Sequence, residues 1–281
     1  MTQRGGSYFA SVSAVQHTHD IEFVDGVVRK TYVSWSKGEP DREWAALEHL
    51  EQHAPGLGPR PIERSVADGR PVVVMSRVPG EPLDGTLSLL QMAALTSALQ
   101  VLFTVPVPAV LPERANDPSS FPHLFGSWLA REYEWTRCQD SVLVRHAVAV
   151  ARAWTDDHEI ASDWIVDRVI ALGDGNLDNV LWDGDVCRLI DWEEYGASDF
   201  AYELADVVEH ASSRLQRRLD VEEFLRAFGL DPAQRARVEH HRKMFACFWL
   251  AMLLPGNRGW HRNPRGATED QARHVLRLIG D

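Results

Sequence analysis

Asp174, Asn179 and Asp191 are the residues whose types and spacing could do chemistry together. Two short apolar runs, Val180 to Trp182 and Val186 to Ile190, flank Asp183, Gly184 and Asp185. This reads as a β-hairpin, because Asp-Gly supplies the positive φ that a tight turn needs. Asn179 stands just before the first run and Asp191 just after the second. Closing the hairpin sets the two nearly opposite each other, with side chains roughly 5 Å apart. An amide oxygen and a carboxylate, completed by phosphate oxygens and water, suit Mg²⁺ carried in on a nucleotide. Asp174, in the Gly-containing loop before Asn179, is then the free carboxylate near that metal, able to accept a hydroxyl proton. Asp174, Asn176 and Asp178 also open like a calcium loop. That loop needs Gly at its sixth position and Glu at its twelfth, where this chain has Asn179 and Asp185.

These groups need elements to hold them. Ile21 to Val24, Asp25-Gly26 and Val27 to Val33 form a second Asp-Gly hairpin, following an earlier strand in the stretch from Ser7. Its period of two sets Val28, Lys30 and Tyr32 on one face and Val27, Arg29 and Thr31 on the other, so Lys30 points with apolar neighbours toward an interior or a cleft. Lysine occurs only at 30, 37 and 243 in a chain otherwise rich in arginine, which suggests a position where Arg would not serve. A helix starts at Pro40 and Asp41. Glu43, Leu47 and Leu50 share its inward face, so the Glu43 carboxylate needs a cation, and Lys30 is the natural partner. Val72 to Met75 reads as a buried strand, and Ser76 to Gly80 breaks the pattern as a hinge between lobes. Helices are expected at 86–103, 124–138, 142–157, 162–171 (part strand), 200–217, 221–228, 232–254 and 268–279, with a proline-rich surface loop at 105–118.

Gly173-Asp174 with Asn179 five positions on, then Leu189-Ile190-Asp191-Trp192, then Ser198 to Ala205, resemble three segments of the aminoglycoside phosphotransferase family of antibiotic kinases: the catalytic loop, the metal-binding segment and the following helix. The resemblance implies a bilobal α+β protein-kinase-like fold. Residues 1–78 would be an N-terminal nucleotide-binding lobe with a small antiparallel sheet, and 79–281 a mainly helical catalytic and substrate-binding lobe. It implies phosphoryl transfer from ATP or GTP to an alcohol group. Asp174 is the expected base, and Asn179 and Asp191 hold Mg²⁺. Lys30 meets the α- and β-phosphates, paired with Glu43, while the Ser76 carbonyl and Val78 amide meet the purine edge behind Met75. The chain departs from the family at Leu172, which stands for a usual His, at Ser198 for Gly, and at Glu203 for Asp. A Gly-rich phosphate loop is also missing, since Ala10 to Asp20 contains no glycine; Ser11, Ser13 or backbone amides are left to cover the phosphates.

Composition bounds the rest. A chain of 281 residues, 44% hydrophobic, makes one two-lobed domain or two small ones. A net charge of −12 argues against a nucleic-acid or anionic-membrane partner and suits a small cationic substrate. Asp156, Asp157, Glu159, Glu193, Glu194 and Asp199 are the acids best placed by chain position to line its cleft. An aminoglycoside or a basic cyclic peptide antibiotic fits best, with resistance as the outcome. A macrolide, choline, homoserine or fructosamine would use the same core, and a pseudokinase-like nucleotide-binding protein is the non-catalytic alternative. Cys138, Cys187 and Cys247 show neither metal-type spacing nor an even disulfide count, and His17 with His19 lacks further metal ligands. No signal pattern is visible and the longest apolar run, Phe245 to Leu254, is too short to span a bilayer, so a cytoplasmic monomer or weak dimer is expected.

Overall fold

A computed structural model describes residues 19–157 and 166–280. The strand expected from Ser7, together with Ser11, Ser13, His17 and Glu159, lies outside them. Asp20–Val24 (β1) and Val27–Thr31 (β2) form the expected hairpin. Asp25 and Gly26 take φ of 46° and 81° at its tip, the pair of positive values that matches strand twist. Glu39–His53 (α1) begins with Pro40 in its first turn and buries Glu43, Ala46, Leu47 and Leu50 on one stripe. Pro61–Ala67 (β3) and Arg70–Ser76 (β4) complete an antiparallel sheet of order β1-β2-β4-β3. Arg77 N–H, just past β4, donates to the Gly26 carbonyl.

Beyond this point the chain is mainly helical. Glu81–Pro82 (β5) leads to Leu89–Thr104 (α2), which starts later than its apolar pattern suggests because Ser88 and Gln91 form a reciprocal capping box. Phe121–Leu129 (α3) starts earlier than expected, with Pro122 fixing its first turn, and stops well short of Cys138. Ser141–Asp156 (α4) follows. The stretch to Ala171, expected as helix and part strand, gives the strand Arg168–Ile170 (β6) among its described residues. Val180–Trp182 (β7) and Cys187–Leu189 (β8) form the second hairpin, extended by β5. Ala197–Asp199 (β9) pairs with β6, and that pairing overrides the helical tendency there. Phe200–Glu209 (α5) ends at His210, whose ψ of 141° breaks the helix expected to reach Arg217, and Ser212–Gln216 resumes as one π-helical turn. Val221–Arg226 (α6), Pro232–Met252 (α7) and Ala267–Ile279 (α8) close the chain.

One apolar core runs from Tyr32, Leu47 and Val73 through Leu95 and Leu99 to Leu189, Trp192 and Leu204, crossing the expected boundary after Val78. A second gathers Phe121, Phe125, Val144, Tyr202, Phe245 and Val275. Helix α5 contributes to both, and every residue from Ala201 to Glu209 is buried. Each buried aliphatic or aromatic side chain there stabilises the fold by about 1.5–3 kcal/mol. The buried acids Glu203, Asp206 and Glu209 in the same helix must instead find cations. Glu209 takes the Arg242 guanidinium (2.8 Å) and accepts a hydrogen bond from His274 Nε2–H (2.6 Å). The three cysteines are free and buried, and burial pushes the Cys138 and Cys187 thiols up to about 11 and 12. Among the described residues no helix is long and apolar enough to cross a membrane.

Candidate active site

Strand β2 alternates as its pattern requires, and Lys30 is 5% exposed. Its Nζ meets Asp191 at 2.5 Å, Glu43 at 2.8 Å and Glu193 at 3.1 Å. The Tyr32 hydroxyl donates to Glu43, the carboxylate that α1 carries inward. One ammonium thus faces three carboxylates, an excess of negative charge. Burial would lower the Lys30 pKa, but Glu43 and Asp191 outweigh it and hold the ammonium well above its ordinary value. The Asp191 carboxyl is pushed up to about 6, by burial first and by Glu43 and Glu193 after it, against the pull of Lys30. Glu193 lies low, at about 2, because hydrogen bonds from His19 and Lys30 outweigh its burial. His19 accepts from Val33 N–H at Nδ1 (3.3 Å), which leaves Nε2–H to donate to Glu193 (2.9 Å). His19 therefore braces the lysine cluster.

The second hairpin sets Asn179 and Asp191 at one end, though one residue out of register. Val180 pairs with Leu189, and Ile190 N–H donates to the Asn179 carbonyl (3.0 Å), so Ile190 rather than Asp191 stands opposite Asn179. Asp191 then leaves the strand with φ of 68°, a left-handed conformation uncommon outside glycine. Asn179 is 9% exposed, and its side-chain amide makes no hydrogen bond within the described residues. An amide oxygen with no side-chain partner among the described residues, next to a carboxylate in a locally negative setting, is an oxygen set that fits a hard divalent cation.

Asp174 lies on a loop that two glycines press against its surroundings. A Cβ on Gly173, whose φ is 89°, would stand 2.8 Å from Glu194 Cβ, and one on Gly175 would stand 2.6 Å from the Asp206 backbone. The Asp174 side chain is 43% exposed. Its Oδ1 accepts Asn176 N–H (3.2 Å), and His210 Nε2 stands 3.2 Å from the same oxygen. Packing pushes its pKa up, but His210 beside it and the Arg114 guanidinium hold it below the usual carboxylate range.

Arg114 underlies the loop. It is 5% exposed, donates to Glu203 (2.7 Å), Asp206 (3.3 Å) and the Gly173 carbonyl, and lies 5.0 Å over the Tyr202 ring. The other Glu203 oxygen accepts Leu172 N–H (2.8 Å) and Gly173 N–H (3.2 Å). Burial lifts the Asp206 carboxyl to about 6 and that of Glu194 to about 7 despite Arg114, with Asp174 adding to both. The proline-rich segment expected as a plain surface loop thus carries a buried cation. A lone arginine there was the only hint.

The other candidates divide. Glu194 reaches Arg114 and Asn116 (3.4 Å each) with its side chain 25% exposed, beside Asp174. Glu193 belongs to the lysine cluster. Asp156 and Asp157 are exposed at the end of α4. Asp199 is buried, caps α5 and pairs with Arg237 (3.1 Å) and His241 (3.4 Å), so it serves the fold and does not line a cleft. Ser76 ends β4, and Val78 N–H donates to no described residue.

The model of the phosphotransferase enzyme family matches residues 4–240. No curated protein matches by sequence. Among solved structures, a choline/ethanolamine kinase family protein from Mesorhizobium loti is 18% identical, with a TM-score of 0.61 over 98% of this chain and 90% of that one. Choline kinase LicA from Streptococcus pneumoniae is 13% identical, with a TM-score of 0.59 over 95% and 91%. A thermostable mutant of aminoglycoside phosphotransferase APH(4)-Ia, in a ternary complex with ADP and hygromycin B, is 14% identical, with a TM-score of 0.58 over 91% and 87%. The architecture is the α+β kinase-like fold of these proteins.

Proposed function

We propose that this chain, which belongs to the phosphotransferase enzyme family, moves the γ-phosphoryl of ATP or GTP to a hydroxyl of a small cationic molecule. An aminoglycoside or a basic cyclic peptide antibiotic is the preferred acceptor, with resistance as the consequence. Residues 1–78 are read as the nucleotide-binding lobe and 79–281 as the catalytic and substrate lobe. One observation carries the cationic acceptor. Beside Asp174 lies Glu194, a carboxyl 25% exposed on its side chain and held by Arg114 at 3.4 Å, which keeps lone pairs free to meet an ammonium of the acceptor.

The chemistry follows from the residues. Lys30, fixed by Glu43, offers its ammonium to the α- and β-phosphates, and Asn179 with Asp191 would hold Mg²⁺, which neutralises charge on the phosphate oxygens when bound. The Ser76 carbonyl and Val78 N–H suit the edge of a purine. At Asp174, Oδ1 accepts Asn176 N–H and faces His210 Nε2 at 3.2 Å, so Oδ2 keeps its lone pairs for the acceptor hydroxyl. Oδ2 takes the hydroxyl proton as that oxygen bonds to the γ-phosphorus, the bond to the bridging oxygen breaks, and the nucleoside diphosphate leaves.

A choline-type amino alcohol is the second reading, supported by fold likeness to a choline kinase and by the same partly exposed Glu194 carboxyl beside Asp174. The test measures ATP and GTP consumption with Mg²⁺ against cationic antibiotics and small amino alcohols, with products read by mass. A gain of one phosphate on one class names the acceptor. Nucleotide binding with no phosphorylated product across the panel would favour the non-catalytic alternative.

A further inference from the structure

We infer that His210 is a positioning residue for the base: it fixes the Asp174 carboxylate through its Nε2–H and leaves one oxygen free for the acceptor. The helix break makes this contact. His210 turns out of α5 with ψ of 141°, and its ring packs edge-on against Trp249, 4.5 Å between centroids. Ser212 N–H points at Nδ1 (3.1 Å), and Ser212 Oγ lies 2.7 Å from the same nitrogen. A backbone N–H can only donate, so Nδ1 is the acceptor and the ring proton resides on Nε2. Nε2 stands 3.2 Å from Asp174 Oδ1. Ser212 is itself 2% exposed, and its Oγ accepts Leu177 N–H (2.9 Å), from the same loop as Asp174. The chain of bonds from Leu177 through Ser212 and His210 to Asp174 closes on the loop where it began, and each link sets the direction of the next.

A lone carboxylate that is 43% exposed can rotate about its terminal torsion. Asn176 N–H on Oδ1, with His210 Nε2 held 3.2 Å from the same oxygen, restricts that freedom and presents Oδ2. The family's usual His before the catalytic Asp is Leu172 here, so the imidazole of this site comes from the far end of α5. His210 has this role only if Asp174 is the base, and the test separates the two.

Long-range ¹H–¹⁵N NMR of the wild-type chain, with His210 assigned by its loss in His210→Gln, reads the tautomer without any acceptor. We expect protonated Nε2 and bare Nδ1, with the Nε2 resonance moved by Asp174→Ala. A protonated Nδ1, or a resonance indifferent to Asp174→Ala, overturns the inference. Turnover is followed as ADP release from MgATP with water as the acceptor. His210→Phe keeps a ring on Trp249 but loses the donor, and should lower kcat by roughly 10- to 100-fold with KM within about threefold, as expected for a hydrogen bond to a charged group. His210→Gln carries an amide N–H at the Nε2 position and should recover most of the loss; His210→Asn is too short and should not. Unchanged turnover in His210→Phe, with Asp174→Ala inactive, overturns the role of His210 alone. Full turnover in Asp174→Ala overturns the base and the role of His210 with it.

Discussion

Replacing Arg114 with Met tests whether one buried guanidinium holds the Asp174 loop. Met is close in length and apolar, so the change removes charge and donors more than volume. The guanidinium faces Glu203, 1% exposed on its side chain, and Asp206, 8% exposed, at 2.7 and 3.3 Å. Removing one partner of a buried pair costs about 3–5 kcal/mol, because the remaining charge is left without compensation. Part of that cost is recoverable by protonation. The Asp206 and Glu194 carboxyls already lie at about 6 and 7 with Arg114 pulling them down, so its loss raises both further. A carboxyl raised in the folded state binds its proton more tightly there than in the unfolded chain, so stability falls as pH rises toward and through the folded pKa. The raised values in the variant carry that penalty to higher pH. The deficit against wild type should therefore be largest near pH 8, about 3 kcal/mol or more, and smaller at pH 5.5. It should not vanish, since the bond to the Gly173 carbonyl is also lost. Urea unfolding of both proteins at the two pH values measures this. A deficit below about 1 kcal/mol at pH 8, or one that grows at pH 5.5, would refute the reasoning.

Three further outcomes follow from the same geometry. Asp174→Ala should leave nucleotide affinity, measured by calorimetry, near wild type while lowering turnover by about 10² or more. Glu194→Gln should raise KM for a cationic acceptor more than for an uncharged analogue of it, as steady-state kinetics on the matched pair would reveal; equal effects would remove Glu194 from cation recognition. Wild-type protein should resist urea better at pH 6 than at pH 8, because Glu194 and Asp206, raised to about 7 and 6, favour the folded state as they take up protons.

The parts of the site legible in the sequence are those that a short period or a turn fixes. Two-residue alternation gave the face of Lys30, helical spacing turned Glu43 inward, and their contact at 2.8 Å follows once α1 covers the sheet. The Asp-Gly turns gave both hairpins. The register at Asn179 came out one residue off, because a turn pattern does not reveal that Asp191 leaves its strand with positive φ. Helix ends were less legible: α2, α3 and α5 are bounded by a capping box, a proline and the turn at His210, each a local event under a longer apolar pattern.

Arg114 and His210 were not legible for a different reason. Each acts on residues far along the chain, Arg114 on Glu203 and His210 on Asp174, and no period links such positions. The departures from the family pattern nevertheless pointed to this region. Leu172 is buried among apolar side chains and brings no polar group to the loop. The work of holding the loop then falls to its backbone. Glu203, one methylene longer than the usual Asp, accepts both Leu172 N–H and Gly173 N–H on one oxygen while the other takes Arg114. Ser198, buried in β9 with a hydroxyl that has no partner among the described residues, has no such account in the structure. Leu172 and Glu203, the two positions that depart from the resembled family here, meet through the Leu172 N–H, so changes at them should couple. Restoring the usual pair, Leu172→His with Glu203→Asp, should disturb the protein less than Glu203→Asp alone. Asp at 203 is too short to reach both amides, and a thermal-unfolding cycle over the four proteins measures the coupling.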